Sequence, residues 1–94
     1  MRLVFEWDEA KAEQNLGKHG ITFEEARTIF GDPFSMTIAD PKHSADENRY
    51  VDIGTSATGR MLVVVYTERG GRIRIISCRR ATRTERKAYE QTEL

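Results

Sequence analysis

The sequence lacks the residues on which several common kinds of site depend. Cys78 is the one cysteine, so no internal disulfide and no cysteine-rich metal site can form. No HExxH pair and no glycine-rich phosphate loop is present. No apolar run approaches the roughly 20 residues that span a bilayer, and the first apolar stretch is too short for a signal peptide. These absences predict a soluble, cytoplasmic protein without a metal or cofactor.

The chain is short, and its composition is that of a single domain. It has 94 residues, of which 38% are hydrophobic, and it contains no repeat, low-complexity tract or linker. A chain of this length buries only about 60 to 65% of its unfolded surface. We therefore expect one domain over residues 1–94 with a shallow core.

Charge is balanced in total but segregated along the chain. Residues 1–48 carry five Lys/Arg against ten Asp/Glu, a net charge of −5, and residues 69–94 carry eight against three, a net charge of +5. Such segregation indicates one surface for a polyanion and a separate acidic surface. The alternative is that acidic and basic segments lie side by side in the fold and neutralise each other.

Periodicity and capping residues predict a strand and two helices at the start of the chain. Alternation over 3–7 is typical of a short strand, and Asp8 is placed to cap a helix over 9–18. Thr22 and Glu25 form a capping box that begins a second helix. The residues of that helix expected to face the core are Phe23, Ala26, Ile29 and Phe30.

The remainder of the chain is predicted to form four strands and a closing helix. The strand predicted over residues 61–66 is the most apolar and should lie at the centre of the sheet. In the last strand, alternation places Ile73, Ile75 and Ser77 on one side. Thr82 and Glu85 form a second capping box, which opens a helix through about residue 91. The predicted order β-α-α-β-β-β-β-α describes an α+β fold with an antiparallel sheet. The four strands are predicted over residues 34–39, 49–54, 61–66 and 72–78.

Arginines concentrate on the last strand, its exit and the closing helix. Arg79 and Arg80 are adjacent and should point in different directions, whereas Arg83 and Arg86 share one side of the helix. A guanidinium offers a planar fork of donors that matches phosphate oxygens. Several of them around one phosphodiester can stabilise the phosphorane formed when the 2′-hydroxyl of RNA attacks, without a metal or a covalent intermediate. The other arginines of this part are Arg69, Arg72 and Arg74.

Structural roles compete with function at several candidate positions. Arg83 and Arg86 are explained by a solvated helix face as readily as by an RNA contact. His19 closes a helix and suits that role as well as catalysis. Trp7 and Tyr89 have rings that can stack on a base, but packing in the core is the alternative for both.

Three segments carry a resemblance to a known family. They are residues 5–26, which include Lys18-His19-Gly20 before the capping box, residues 40–54 with His43 and Glu47, and residues 72–90 with the run Ile75-Ile76-Ser77-Cys78-Arg79-Arg80-Ala81-Thr82. Together they resemble the BrnT family of toxins over nearly the whole chain. Cys78 stands where that family usually has alanine, a small-for-small difference.

The resemblance implies a RelE-like fold, ribonuclease toxicity that inhibits translation, and neutralisation by a BrnA-type antitoxin. Toxin and antitoxin of the family form a heterotetramer that represses its own operon, with DNA bound through the antitoxin and no membrane involved. RNA is then the substrate. The catalytic residues implied are Arg49, Arg60, Arg74, Arg79, Arg80 and His19. The resemblance also implies Trp7 as a substrate-binding residue, and the basic cluster and aromatic ring of this part of the chain add Arg72, Arg83 and Tyr89 as substrate-binding candidates.

Two other functions are compatible with the sequence. The chain can be a binding module that holds an acidic antitoxin or a nucleic acid on its basic face without chemistry, or a toxin that has lost activity and persists as a partner. No helix-turn-helix or ribbon pattern favours direct reading of DNA. Charge alone predicts a polyanion surface, and RNA cleavage is predicted from the resemblance.

Overall fold

Five strands form one sheet, and helices pack on both of its faces. The computed structural model describes residues 3–39 and 48–92, so the predicted loop at 40–44, His43 and Glu47 lie outside the described residues. The strands are β1 (Phe5–Glu6), β2 (Met36–Ala39), β3 (Arg49–Thr55), β4 (Met61–Arg69) and β5 (Arg72–Arg80). The helices are α1 (Glu9–His19), α2 (Phe23–Arg27), extended by a 3-10 turn at Thr28–Gly31, and α3 (Arg83–Thr92). The predicted α+β order of elements is confirmed.

Each helix begins at the capping residue predicted for it. The Asp8 carboxylate accepts from a backbone N–H at the start of α1, at 3.0 Å, and Gly20 at φ 70° ends that helix. Thr82 and Glu85 cap α3 reciprocally, at 3.2 and 2.8 Å. At α2, the Thr22 hydroxyl accepts from the backbone N–H of Glu25 at 3.1 Å, as predicted. The Glu25 carboxylate does not return the bond to Thr22 and points towards the turn between β3 and β4. No helix of the described residues is long and apolar enough to cross a membrane.

The strand order is β1-β5-β4-β3-β2, which places the most apolar strand at the centre as predicted. The pairs among β2, β3, β4 and β5 are antiparallel, as expected, but β1 pairs with β5 in parallel. A strand of two residues contains no signal for its partner, so this pairing was not predictable. Because β1 pairs only with Ile73 and Arg74, most of the outer edge of β5 has no strand of the described residues beside it.

The sheet buries one core on each face. The larger core lies on the face covered by α1 and α2, which we call the helix-pair face. The smaller core lies on the opposite face, the α3 face, and consists of Ile53, Val63 and Tyr89 with partly buried neighbours. The residues of the larger core are Ile21, Phe23, Ala26, Ile29, Leu62, Val64, Tyr66, Ile73, Ile75 and Cys78.

A β-bulge in β5 changes the faces on which its later residues lie. Tyr66 is opposite Ile75 and Val65 is opposite Ser77, so Ile76 has no partner in β4. The predicted grouping of Ser77 with the buried isoleucines was therefore wrong, and Cys78, 1% exposed, takes that place. After the bulge, Arg79 lies on the α3 face and Arg80 on the helix-pair face.

Asn15 of α1 covers part of the open edge of β5. Its side-chain oxygen accepts from the Cys78 N–H at 3.0 Å, and its amide nitrogen donates to the Ile21 carbonyl at 3.1 Å. A buried amide in this position satisfies a strand N–H that would otherwise have no partner. Asn15 thereby fixes α1 beside β5, the strand that ends with Arg79 and Arg80.

Candidate functional site

A cleft of about 300 Å³ opens where the turn between β3 and β4, the end of β5 and α3 meet. Arg60 reaches it from the residue before β4, Arg80 from the last residue of β5, and Arg86 from α3. None of the described residues that line it is a carboxylate. Three guanidinium groups around one cleft form a site for an anion, phosphate in particular. The other lining residues are Thr55, Gly59, Met61 and Ala81.

Arg60 is held in orientation by Glu25. Its Nε donates to the carboxylate at 2.9 Å, and a second guanidinium nitrogen donates to the other oxygen. The same carboxylate accepts from Ser56 at 2.8 Å and Thr58 at 2.6 Å. The pKa of Glu25 is lowered to about 2, chiefly by the hydrogen bonds from Arg60. Burial opposes this change, and the hydrogen bonds from the two hydroxyls add to it. Arg60 is therefore a fixed and partly neutralised cation.

Arg80 and Arg86 differ from Arg60 because their guanidinium groups have no hydrogen bond or ion pair with the described residues. Both side chains are exposed at the cleft. Their full charge and all their donors are available to a bound anion. These two residues offer the most available positive charge of the cleft.

Arg79 points away from the cleft, on the α3 face. It forms a bidentate ion pair with Glu85, in which two guanidinium nitrogens donate to the two carboxylate oxygens at 2.8 and 2.9 Å. The hydrogen bonds from Arg79 are the main cause that lowers the pKa of Glu85 to about 2. Burial opposes this change, and the capping hydrogen bonds from Thr82 add to it. Arg79 therefore ties the end of β5 to the start of α3, and the structure does not bring it together with Arg80 at one phosphate.

Three further predicted arginines lie on the sheet away from the cleft. Strand register places Arg49, Thr67, Arg74 and Glu6 in one row across the α3 face. Glu6 accepts from Arg74 at 3.0 Å, and Arg72 approaches its other oxygen at 3.6 Å. The Nε of Arg49 is buried without a hydrogen-bond partner among the described residues. This area is basic, because the single carboxylate of Glu6 contacts Arg72 and Arg74 and leaves Arg49 unpaired with it.

Two aromatic candidates have packing roles. Tyr89 is 4% exposed, and its hydroxyl donates to Asp32 at 2.7 Å and accepts from Thr55 at 3.2 Å. A ring covered in this way offers no face on which a base could stack. The Trp7 ring packs edge-on against Phe23 with centroids 5.9 Å apart. The groove beside it is bordered by carboxylates, which repel phosphate; they are Glu9, Glu13 and Glu24.

The two remaining candidates are polar and lie elsewhere. His19 lines a groove between α1 and β5, away from the cleft. Arg83 is exposed on the first turn of α3. Among residues 3–39 and 48–92, no group of three or more His, Cys, Asp or Glu side chains is placed to hold a metal ion.

Arg86 is the cleft residue that sequence reasoning undervalued, because it was grouped with a solvated helix face. The signal that identifies it was present. Arg86 precedes Tyr89 by three residues, so the two share a side of α3, and Tyr89 is the residue that anchors α3 to the sheet. Arg86 therefore borders the sheet at the cleft, although its side chain is exposed.

A family model described as the ribonuclease toxin BrnT of a type II toxin–antitoxin system matches residues 7–85. The chain belongs to the BrnT family. The crystal structure of the Brucella abortus ribonuclease toxin BrnT is similar to it, with a TM-score of 0.64 and 25% identity. That similarity covers 87% of this chain and all of the Brucella chain. Among curated proteins, none matches the sequence significantly. The BrnT-family match contains Arg60 and Arg80 and ends just before Arg86.

Proposed function

We propose that this BrnT-family toxin is a metal-independent endoribonuclease that inhibits translation by cutting RNA at the arginine cleft. One observation carries the proposal: Arg80 and Arg86, which have no partner among the described residues, line the same cleft as Arg60, which Glu25 orients. In such a site a phosphate lies between the unpaired guanidinium groups of Arg80 and Arg86 and the oriented guanidinium of Arg60. The site is also open to solvent, as a long substrate requires.

The chemistry that this site supports needs no protein nucleophile. The 2′-hydroxyl of RNA gives up its proton to water and attacks the adjacent phosphorus, the bond to the 5′-oxygen breaks, and that oxygen takes a proton from water. The products are a 2′,3′-cyclic phosphate and a 5′-hydroxyl. Arg80 and Arg86 donate to the phosphoryl oxygens, on which negative charge increases in the transition state, and Arg60 positions the group. Cys78 is not a competing nucleophile, because burial raises the pKa of its thiol to about 11.

The family implies an antitoxin partner, and we propose that it is of the BrnA type. An acidic segment of such a partner that occupies the cleft would compete directly with RNA for Arg80 and Arg86. We propose a heterotetramer in which the antitoxin, and not this chain, contacts DNA.

The test of the proposed activity is cleavage of RNA by the purified chain in the presence of EDTA. Arg80→Ala with Arg86→Ala should reduce the cleavage rate at least 10²- to 10³-fold, roughly the effect of removing one donor to a transition-state oxyanion. Arg27→Ala is the control, since it removes an exposed charge from α2 outside the cleft. Expression of the double variant should no longer arrest growth, whereas expression of Arg27→Ala should arrest it as the unmodified chain does.

Two results would contradict this assignment. Cleavage that stops in EDTA and returns with a divalent cation would overturn metal independence. Full toxicity of the double variant would remove the cleft from the active site. Salt-sensitive RNA binding without products, on several free RNAs and on ribosomes, would favour the non-catalytic binding module instead.

A further inference from the structure

A second groove, of about 240 Å³, separates α1 from the outer edge of β5. It is distinct from the arginine cleft, with which it shares no lining residue. None of the described residues that line it is acidic, and three carry basic side chains. The lining residues are Lys11, Gln14, Asn15, Lys18, His19, Ile76 and Ser77.

The basic character of this groove comes from one side of α1. Positions 11, 14, 15 and 18 recur at helical spacing and therefore form one stripe. The ammonium groups of Lys11 and Lys18 have no ion pair with the described residues. Glu9 and Glu13 lie on the other side of the helix, beside Trp7. α1 thus directs its cations towards β5 and its carboxylates away from it.

The groove and the cleft lie along the same strand. Ser77 of the groove precedes Arg80 of the cleft by three residues, which is about 10 Å at a strand rise of about 3.3 Å per residue. Arg80 lies on the helix-pair face, on which α1 packs, whereas Ser77, opposite Val65, lies on the α3 face, so the groove meets β5 at its outer edge and the path to the cleft follows that edge. A stacked nucleic-acid strand rises about 3.4 Å per nucleotide, so about three nucleotides fit between the two positions.

We propose that this groove is a phosphate subsite for the RNA strand whose scissile phosphate occupies the arginine cleft. Lys11 and Lys18 would neutralise backbone phosphates about three nucleotides from the cleavage point, with His19 and Ser77 as hydrogen-bond donors. The inference rests on the proposed function. It makes His19 a binding residue, and it gives the enzyme a preference for longer strands to which the sequence at the subsite does not contribute, because phosphate contacts carry no base information.

The test compares Lys18→Gln with Arg27→Gln, each of which removes one positive charge from an exposed helix position. Binding of a 2′-O-methyl single strand, which cannot be cut, is measured by fluorescence anisotropy across a salt series. Lys18→Gln should weaken binding about threefold and reduce the salt slope by about 0.7, and adding Lys11→Gln should bring the loss to about tenfold. Arg27→Gln should change neither quantity.

Cleavage gives the second readout. The double lysine variant should cut a dinucleotide as fast as the unmodified chain does, and a longer strand about tenfold less efficiently at low substrate. Unchanged oligonucleotide affinity and salt slope in a folded double variant would overturn the subsite while leaving the proposed activity intact. Conversely, a chain that cuts no RNA but loses oligonucleotide affinity with the lysines would retain the subsite and overturn the proposed activity.

Discussion

Carboxylates determine which arginines of this molecule remain available to a ligand. Glu25 is 35 residues from Arg60 in sequence, and Glu6 is 68 residues from Arg74. No local pattern reveals such pairs, so the sequence identified the arginine-rich region but not its free members. The pair of Arg79 with Glu85, six residues apart, was within reach, since the same Glu85 had been predicted to cap α3.

The Glu25–Arg60 pair should make stability depend on pH. The pKa of Glu25 is lowered from 4.5 to about 2 in the fold, so its contribution is complete above about pH 4.5 and is lost as pH falls towards 2. Glu25→Gln should reduce the free energy of unfolding at pH 7 by about 2 kcal/mol and weaken the acid dependence. Denaturant titrations between pH 7 and pH 2 measure both effects.

The control for that series is Glu24→Gln, which removes the same charge from an exposed position of α2. It should leave the acid dependence as it is in the unmodified chain. Some acid sensitivity should persist in Glu25→Gln, because the pKa of Glu85 is also lowered to about 2 by Arg79. Equal acid dependence in both variants would mean that the Glu25 pair does not contribute to stability.

At the scale of elements, helix starts were predictable and strand partners were not. A capping residue acts within its own turn, so Asp8, Thr22 and Thr82 marked the helices correctly from sequence. The bulge at Ile76 arises from pairing between β4 and β5, which alternation within β5 does not contain. Sequence therefore gave the order of elements but missed the face on which Ser77 and Cys78 lie.

The attachment of α3 should depend on the hydroxyl of Tyr89, because it is the group through which this helix reaches Asp32. Tyr89→Phe keeps the ring and removes the hydrogen bond, so we expect a loss of about 1 kcal/mol of stability. Hydrogen exchange of α3 amides should accelerate, and RNA affinity should fall because the helix that carries Arg86 is held less firmly against the sheet.

Tyr50→Phe is the matched control for the hydroxyl. Tyr50 packs against Tyr66 with ring centroids 5.6 Å apart, and its own hydroxyl has no hydrogen bond with the described residues. It should leave α3 exchange unchanged. Equal exchange in the two variants would show that α3 is held by the Arg79–Glu85 pair and by ring packing alone.

At the scale of the whole molecule, zero net charge conceals two surfaces of opposite sign. The cleft and the α1–β5 groove have no acidic lining among their described residues, whereas the groove at Trp7 is bordered by three carboxylates. Pairing of acidic with basic residues accounts for part of the charge, and the polyanion surface stays a prediction. Some acidic and basic residues neutralise each other, and the cations left over are gathered where α1, β5 and α3 present them.

A molecule that holds RNA through phosphates should also bind DNA strands without cutting them. A single-stranded DNA of the same sequence offers the same charges but lacks the 2′-hydroxyl that attacks the phosphorus. It should therefore inhibit RNA cleavage competitively, and its inhibition should weaken as salt rises. Absence of inhibition at low salt would show that the 2′-hydroxyl or the bases contribute most of the binding.

The bulge in β5 has a consequence for how this chain tolerates change. Successive strand residues alternate between faces, so the bulge at Ile76 is what directs Arg79 to Glu85 and Arg80 to the cleft. Loss of Ile76 would remove the extra residue and restore regular alternation from Ile75 to Ser77, so both arginines would keep their faces in a strand one residue shorter. Closure of the bulge at constant length would instead reverse the face of every residue after Ile75, and the cleft and the α3 attachment would exchange their arginines with no change in composition.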